Sequence, residues 1–322
     1  MSELSTSPTV LVLRRGTHGM PVAEYAEELR ERLPGVEVRR AETPAEEREL
    51  VADAEIVTGM SIDEELLERA DDLRLFACAY AGTGHLPLDA LESRGVAVTN
   101  ASGVHGPNIG EHVVGAVLSF VRGFHEAWRR QQRREWRHFR ARELQGSTVT
   151  VVGLGAIGHA VVERLDGFGV ETLGVRYSPE KGGPTDEVFG FDEFHDALAR
   201  TDFLVLACPL TDETRGLVGA EEFDTLPPDA LLVNVARGKV VETDALVSAL
   251  RGNQIDGAAL DVTDPEPLPA DHPLWNFENV TVTPHNAGHT PEYYARLADV
   301  VAGNVERVVE TGEYDDLDNR VA

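Results

Sequence analysis

Gly153-Leu154-Gly155-Ala156-Ile157-Gly158 follows the apolar run Thr148-Val-Thr-Val-Val152 and opens a segment with apolar residues at Ala160, Val161, Val162 and Leu165. A strand, a glycine turn and a helix in that order leave free N–H groups at a helix N-terminus, where phosphate binds well. The first glycine makes the turn, the second lets a pyrophosphate approach the backbone, and the third lets the helix pack closely. This spacing predicts a dinucleotide site. The residue about 20 positions on selects the dinucleotide: a carboxylate there binds a ribose 2′-hydroxyl, whereas a cation accepts a 2′-phosphate. The next strand ends Gly174-Val175-Arg176-Tyr177-Ser178, and no carboxylate occurs before Glu180. Arg176 suits a phosphate fork or stacking on adenine, and Ser178, Tyr177 and Lys181 offer further hydrogen bonds. These residues favour NADP(H), with NAD(H) as the alternative; the plain alternative for Arg176 is a solvated surface arginine.

The elements that must hold these residues are short apolar runs alternating with helical patterns. Thr9–Leu13, Val36–Val38, Glu55–Thr58, Leu73–Ala79 and Gly95–Thr99 read as strands, with an amphipathic stretch from Pro21 to Leu33. A long helix begins near Pro107, with Ile109, Val113, Val114, Val117, Leu118 and Val121 on one side. Six further strands follow, at 148–152, 171–175, 203–206, 230–235, 257–260 and 280–283, and a last helix runs from Pro291 to about Val309. Strands and helices alternating at this spacing predict parallel sheets covered on both faces, hence an α/β protein.

Three segments at predicted strand ends carry further polar chemistry: Leu232-Val-Asn234-Val-Ala236-Arg237-Gly238, Leu260-Asp261-Val-Thr-Asp-Pro-Glu266-Pro267 and Thr283-Pro-His285-Asn-Ala-Gly288. With Glu143-Leu-Gln-Gly146 before the glycine-rich strand and Cys208-Pro209-Leu-Thr211 after a later one, the chain resembles the D-isomer-specific 2-hydroxyacid dehydrogenase family along nearly its whole length. The resemblance implies two Rossmann-like doubly wound domains with the active site in the cleft. One is a flavodoxin-like substrate domain, residues 1–100 and 286–322, and the other a dinucleotide-binding domain, residues 101–285. It also implies hydride transfer between the cofactor and C2 of a small 2-keto or D-2-hydroxy acid.

That reaction needs a cation for the carboxylate and carbonyl, and an acid to deliver a proton. The resemblance gives the first task to Arg237, planar and always charged, and the second to His285, whose side-chain type titrates near neutrality. Glu266 would hydrogen-bond the imidazole and fix its tautomer. Asp261 would meet the nicotinamide carboxamide, and Cys208, Pro209, Thr214, Ala236, Arg237, His285 and Gly288 would border the cofactor. Ala79-Tyr80-Ala81-Gly82-Thr83-Gly84 resembles a family loop whose N–H groups face the substrate carboxylate, with Met60, Tyr80 and Trp275 as candidate linings of the side-chain pocket. Leu86-Pro87 stands where many members have Asp-Asn, and Tyr80 where some have Arg, which leaves the substrate undetermined. Asn108 reads as a helix N-cap or a substrate contact, and Glu111 and His112 as interdomain packing or hydrogen bonding; neighbours on a helix do not share a face, so no metal site is expected. Formate or phosphite oxidation and a cofactor-sensing, corepressor-like role are the alternatives.

Composition bounds the rest. The 322 residues carry 29 Lys+Arg against 56 Asp+Glu, a net charge of −27, and only Lys181 and Lys239 are lysines. Such a surface repels nucleic acid and anionic membranes. Acidity with so little lysine resembles the proteins of salt-in halophiles; the plain alternative is an acidic protein kept soluble by its charge. Cys78 and Cys208 suit buried thiols in a reducing cytoplasm. The Ser/Thr-rich stretch Met1–Pro8 shows no apolar leader pattern. Seven arginines between Arg129 and Arg142, among Trp128, Trp136 and Phe139, break the acidity and point to a homodimer contact.

Overall fold

A computed structural model of the chain describes residues 8–322, so the reading of the N-terminal stretch falls almost entirely outside the described residues. The first half runs β1 (Thr9–Val12), α1 (Val22–Arg32), β2 (Glu37–Arg40), α2 (Pro44–Leu50), β3 (Ile56–Gly59), α3 (Glu64–Glu68), β4 (Leu75–Cys78), α4 (Leu88–Ser93) and β5 (Ala97–Thr99). Next come α5 (Gly106–Val121), α6 (Phe124–Gln132), β6 (Thr148–Val152), α7 (Ala156–Leu165), β7 (Glu171–Val175), β8 (Glu187–Phe189), α8 (Phe194–Leu198) and β9 (Phe203–Leu206). The chain closes with α9 (Ala220–Thr225), β10 (Leu231–Asn234), α10 (Thr243–Gly252), β11 (Gly257–Leu260), β12 (Val280–Val282) and α11 (Tyr293–Thr311).

The chain divides into two compact units, one formed by the residues up to Val104 with His289–Ala322 and the other by His105–Gly288. The divisions fall a few residues beyond the expected 100/101 and 285/286. Side chains at the start of α5 explain this, since His105 Nδ1 donates to Gly288 O at 2.9 Å and Asn108 Nδ2 to Ala287 O at 2.7 Å, which ties Ala287 and Gly288 to the second unit.

The first unit is a five-stranded parallel sheet of order β2-β1-β3-β4-β5. Along β1 successive side chains alternate faces, yet both are buried: Val10 and Val12 pack with Tyr25, Leu29, Tyr293 and Leu297 of α1 and α11, while Leu11 and Leu13 pack with Val51, Leu67 and Leu91. This is the flavodoxin-like order, in which ligands approach the carboxyl ends of the strands.

The second unit is a seven-stranded parallel sheet of order β12-β11-β10-β9-β6-β7-β8. Six of its strands were expected; β8 was not, because Glu187-Val-Phe189 puts only two apolar residues in a polar stretch. Helices α5 and α7 cover one face around Val113, Val117, Val161 and Leu165, and α8, α9 and α10 cover the other around Phe194, Phe223, Leu246 and Leu250. A Cβ on Gly106 would lie 3.1 Å from Ala160 Cβ, and one on Gly110 would lie 2.9 Å from Ala160 O, so these glycines let α5 lie directly against α7. Among the described residues no helix is long and apolar enough to cross a membrane.

Candidate active site

The glycine-rich turn connects β6 to α7. Gly153 has φ +95°, and a Cβ there would stand 2.6 Å from the backbone of Cys208, so only glycine fits. A Cβ on Gly158 would lie 2.0 Å from Gly153 O, and its absence lets the first turn of α7, Ala156, Ile157 and Gly158, close on the loop. Gly155 is the N-cap of α7, makes no side-chain cap, and its Cβ would meet nothing within 4 Å. The helix therefore opens onto free space with uncapped N–H groups, as a diphosphate requires.

A cleft of about 500 Å³ lies in front of this turn, lined by Gly153, Leu154, Gly155, Arg176, Tyr177, Ser178, Lys181, Cys208, Pro209 and Thr214, with Phe191, Thr211 and Glu213. Arg176 follows β7 directly, and its one described side-chain bond runs from Nη1 to Gly182 O at 2.6 Å. No carboxylate pairs with it among the described residues. Glu213 is fully exposed at the rim, and a hydrogen bond from the Thr211 hydroxyl lowers its pKa below the usual carboxylate range. Burial pushes the Cys208 thiol up to about 11, so it is a neutral wall of the cleft. The Thr214 hydroxyl donates to Pro209 O at 2.6 Å and accepts from Thr211 N at 2.8 Å, so it shapes the cleft loop.

Arg237, Glu266 and His285 follow β10, β11 and β12, three adjacent strands of the second unit. His285 Nδ1 donates to Glu266 Oε2 at 3.0 Å, while Glu266 Oε1 accepts Thr263 N at 3.0 Å. Both side chains remain about half exposed, 52% and 40%, so the other ring nitrogen is accessible. Asp261, Glu266 and His285 share a cavity of about 510 Å³ with Pro267, Leu268, Trp275 and Pro284. Arg237 is exposed and donates only to its neighbour Ala236 O, at 2.6 Å; no carboxylate pairs with it among the described residues. Its turn is fixed by buried Asn234, which accepts Ala236 N and donates to Arg237 O. A Cβ on Gly238 would fall 2.0 Å from Thr263 O, so this glycine docks the Arg237 turn on the segment leading to Glu266.

Asp261 is 4% exposed, and its carboxylate is already engaged by protein. Oδ1 accepts Thr283 Oγ1 at 2.5 Å and Asn286 N at 2.8 Å, and Oδ2 accepts Ala287 N at 3.0 Å. His285 N donates to Asp261 O at 2.8 Å. The segment bearing His285, itself at φ +52°, is thus wound around Asp261. The N-cap reading of Asn108 needs correction. Asn108 is not the N-cap, which is His105, and it binds Ala287 O instead. Glu111 lies 3.9 Å from Arg164, and His112 Nε2 lies 3.5 Å from Thr283 Oγ1, both within the second unit.

Met60 and Tyr80, after β3 and β4, belong to the first unit, apart in sequence from Trp275. Ala81 and Gly82 are exposed, and a Cβ on Gly82 would meet nothing within 4 Å. Two histidines that no motif indicated adjoin them: His85 Nε2 binds Met60 O at 2.7 Å, and the His18 ring packs edge-on to Tyr80, with centroids 6.0 Å apart.

A Rossmann unit with a histidine-carboxylate pair and an exposed arginine at adjacent strand ends defines a dinucleotide-linked oxidoreductase. The pattern of the D-isomer specific 2-hydroxyacid dehydrogenase NAD-binding domain matches residues 114–287, and the chain belongs to that family. It is 36% identical over 258 residues to a glyoxylate reductase from Thermofilum pendens, covering 77% of this chain and 76% of that protein. It is 32% identical over 295 residues to D-3-phosphoglycerate dehydrogenase from Methanocaldococcus jannaschii, covering 90% of this chain but only 56% of that protein's length. Among solved structures, a D-isomer specific 2-hydroxyacid dehydrogenase from Xanthobacter autotrophicus Py2, in complex with NADPH and MES, superposes with a TM-score of 0.79 at 29% identity, covering 98% of both chains.

Proposed function

We propose that this chain is an NADP(H)-preferring D-2-hydroxyacid dehydrogenase that works as a reductase of small 2-keto acids. The observation that carries this reading is the 3.0 Å bond between His285 Nδ1 and Glu266, which leaves Nε2 to serve the substrate oxygen. The reduced nicotinamide would supply the hydride that goes to C2. His285 Nε2–H gives its proton to the carbonyl oxygen, and Glu266 steadies the cation that rests on the ring before transfer. Arg237 forks onto the carboxylate and polarises the carbonyl. Met60, Tyr80, Ala81 and Gly82, which the family resemblance assigns to the substrate, belong to the first unit.

The preference for NADP(H) is supported by Arg176 and Lys181 in the cleft and by the NADPH bound to the Xanthobacter relative. Two buried thiols accord with a reducing cytoplasm. The homodimer is supported by Trp128 at 57% and Trp136 at 100% exposure on an arginine-rich segment.

Loss of NADPH absorbance with glyoxylate, hydroxypyruvate, pyruvate, formate or phosphite tests the reaction. The expected result is oxidation of NADPH by a 2-keto acid, with turnover at least about 100-fold lower in His285→Ala and cofactor binding retained. Full activity in that variant, or NADP+ reduction with formate or phosphite alone, would overturn the reading.

A further inference from the structure

The first turns of α5 present His105, Asn108 and His112, at spacings of three and four, along one helix face. Each reaches the segment that carries His285. His105 holds Gly288 O at 2.9 Å, Asn108 holds Ala287 O at 2.7 Å, and His112 Nε2 stands 3.5 Å from Thr283 Oγ1 and 4.0 Å from Asp261 Oδ1. The Thr283 hydroxyl has one proton, and Asp261 at 2.5 Å can only accept it. The Thr283 oxygen is then left to accept from His112 Nε2–H. This makes a chain of donors from α5 through Thr283 to a buried carboxylate, whose other bonds hold the N–H groups of Asn286 and Ala287.

We propose that His112 is a positioning residue for the proton donor. Its hydrogen bond to Thr283 orients the Thr283–Asp261 pair and so keeps His285 in its left-handed backbone conformation, facing Glu266. A φ of +52° is costly for histidine and persists only where the surroundings impose it. The inference rests on His285 as the proton donor of the reaction above.

The test compares His112→Leu, which removes the donor, with His112→Gln, whose amide nitrogen can replace Nε2. Two readouts are taken: steady-state reduction of glyoxylate by NADPH, and amide hydrogen exchange over residues 283–288. In His112→Leu, kcat should fall between about 10- and 100-fold, the scale on which a misplaced catalytic group acts. KM for glyoxylate should stay within about twofold, since Arg237, which holds the carboxylate, does not move. Exchange at Asn286 and Ala287 should quicken, and His112→Gln should restore both kcat and protection. Should His112→Leu not fold, Thr283→Val, similar in shape and without the hydroxyl, should give the same two changes.

Unchanged kcat and exchange in the leucine variant would overturn the proposal, as would a glutamine variant no better than leucine. If the wild-type chain reduces no 2-keto acid, the exchange contrast still decides the role of His112, and only the reading of the reaction falls.

Discussion

In the proposed reading, cofactor choice turns on Arg176. A guanidinium with no carboxylate partner among the described residues suits the 2′-phosphate, and hydrogen bonds to charged groups contribute about 1.5–3 kcal/mol each. Arg176→Asp removes such bonds and offers a carboxylate to the 2′-hydroxyl instead. The ratio of kcat/KM for NADPH over NADH should therefore fall by about 10- to 100-fold, and an unchanged ratio would return Arg176 to the solvent. The sequence singles out Arg176 because the proposed role depends on a fixed distance from the glycine turn. Asn108 and His112 could not, since their partners lie at Ala287 and Thr283, far along the chain, where no local period links them. Asp261 was visible as a polar residue at a strand end. Its grip on Thr283, Asn286 and Ala287 became apparent only when β11 and β12 were paired.

At the scale of elements, α5 carries two glycines with opposite meanings. Gly110 abuts the backbone of α7, where a Cβ would be 2.9 Å from Ala160 O, and a carbonyl in a helix cannot yield as a side-chain tip can. Gly115 is exposed, and its Cβ would meet nothing within 4 Å. Gly110→Ala should cost about 1–3 kcal/mol through overpacking, whereas Gly115→Ala should gain about 0.5–1 kcal/mol from helix propensity. Thermal melts of the two variants should therefore move in opposite directions, and equal shifts would refute the close packing of α5 on α7. Activity should fall only with the first, because α5 also carries His105, Asn108 and His112. The strands were legible because buried parallel strands are continuous apolar runs, as Phe203–Leu206 and Leu231–Leu232 are. The glycines of α5 gave no such signal, since a helix glycine that packs and one that does not look alike in a sequence.

For the whole molecule, charge sets the condition under which these parts hold together. With 56 acidic and 29 basic residues, at least 27 carboxylates have no cation of their own. Helix α2 buries no residue and carries Glu46 and Glu47 in its first turn, so some of this charge lies on elements with little packing to oppose repulsion. Arginine forks such as Arg39 to Glu37 and Asp53, and Arg200 to Glu171 and Glu187, act in the other direction. Salt weakens both effects, since the Debye length falls to about 3 Å at 1 M. Exposed ion pairs contribute about 0–1 kcal/mol each, whereas the uncompensated charge repels collectively over the whole surface. We expect repulsion to win. The melting temperature should rise from about 0.1 M to about 2 M KCl, each kcal/mol regained moving it by about 2–4 °C in domains of this size. Light scattering in the same two buffers should give twice the 35.1 kDa chain mass in the concentrated salt, where apolar contact by Trp128 and Trp136 is favoured. A melting temperature that falls with salt would mean that the arginine pairs dominate, and a monomer in both buffers would remove the dimer.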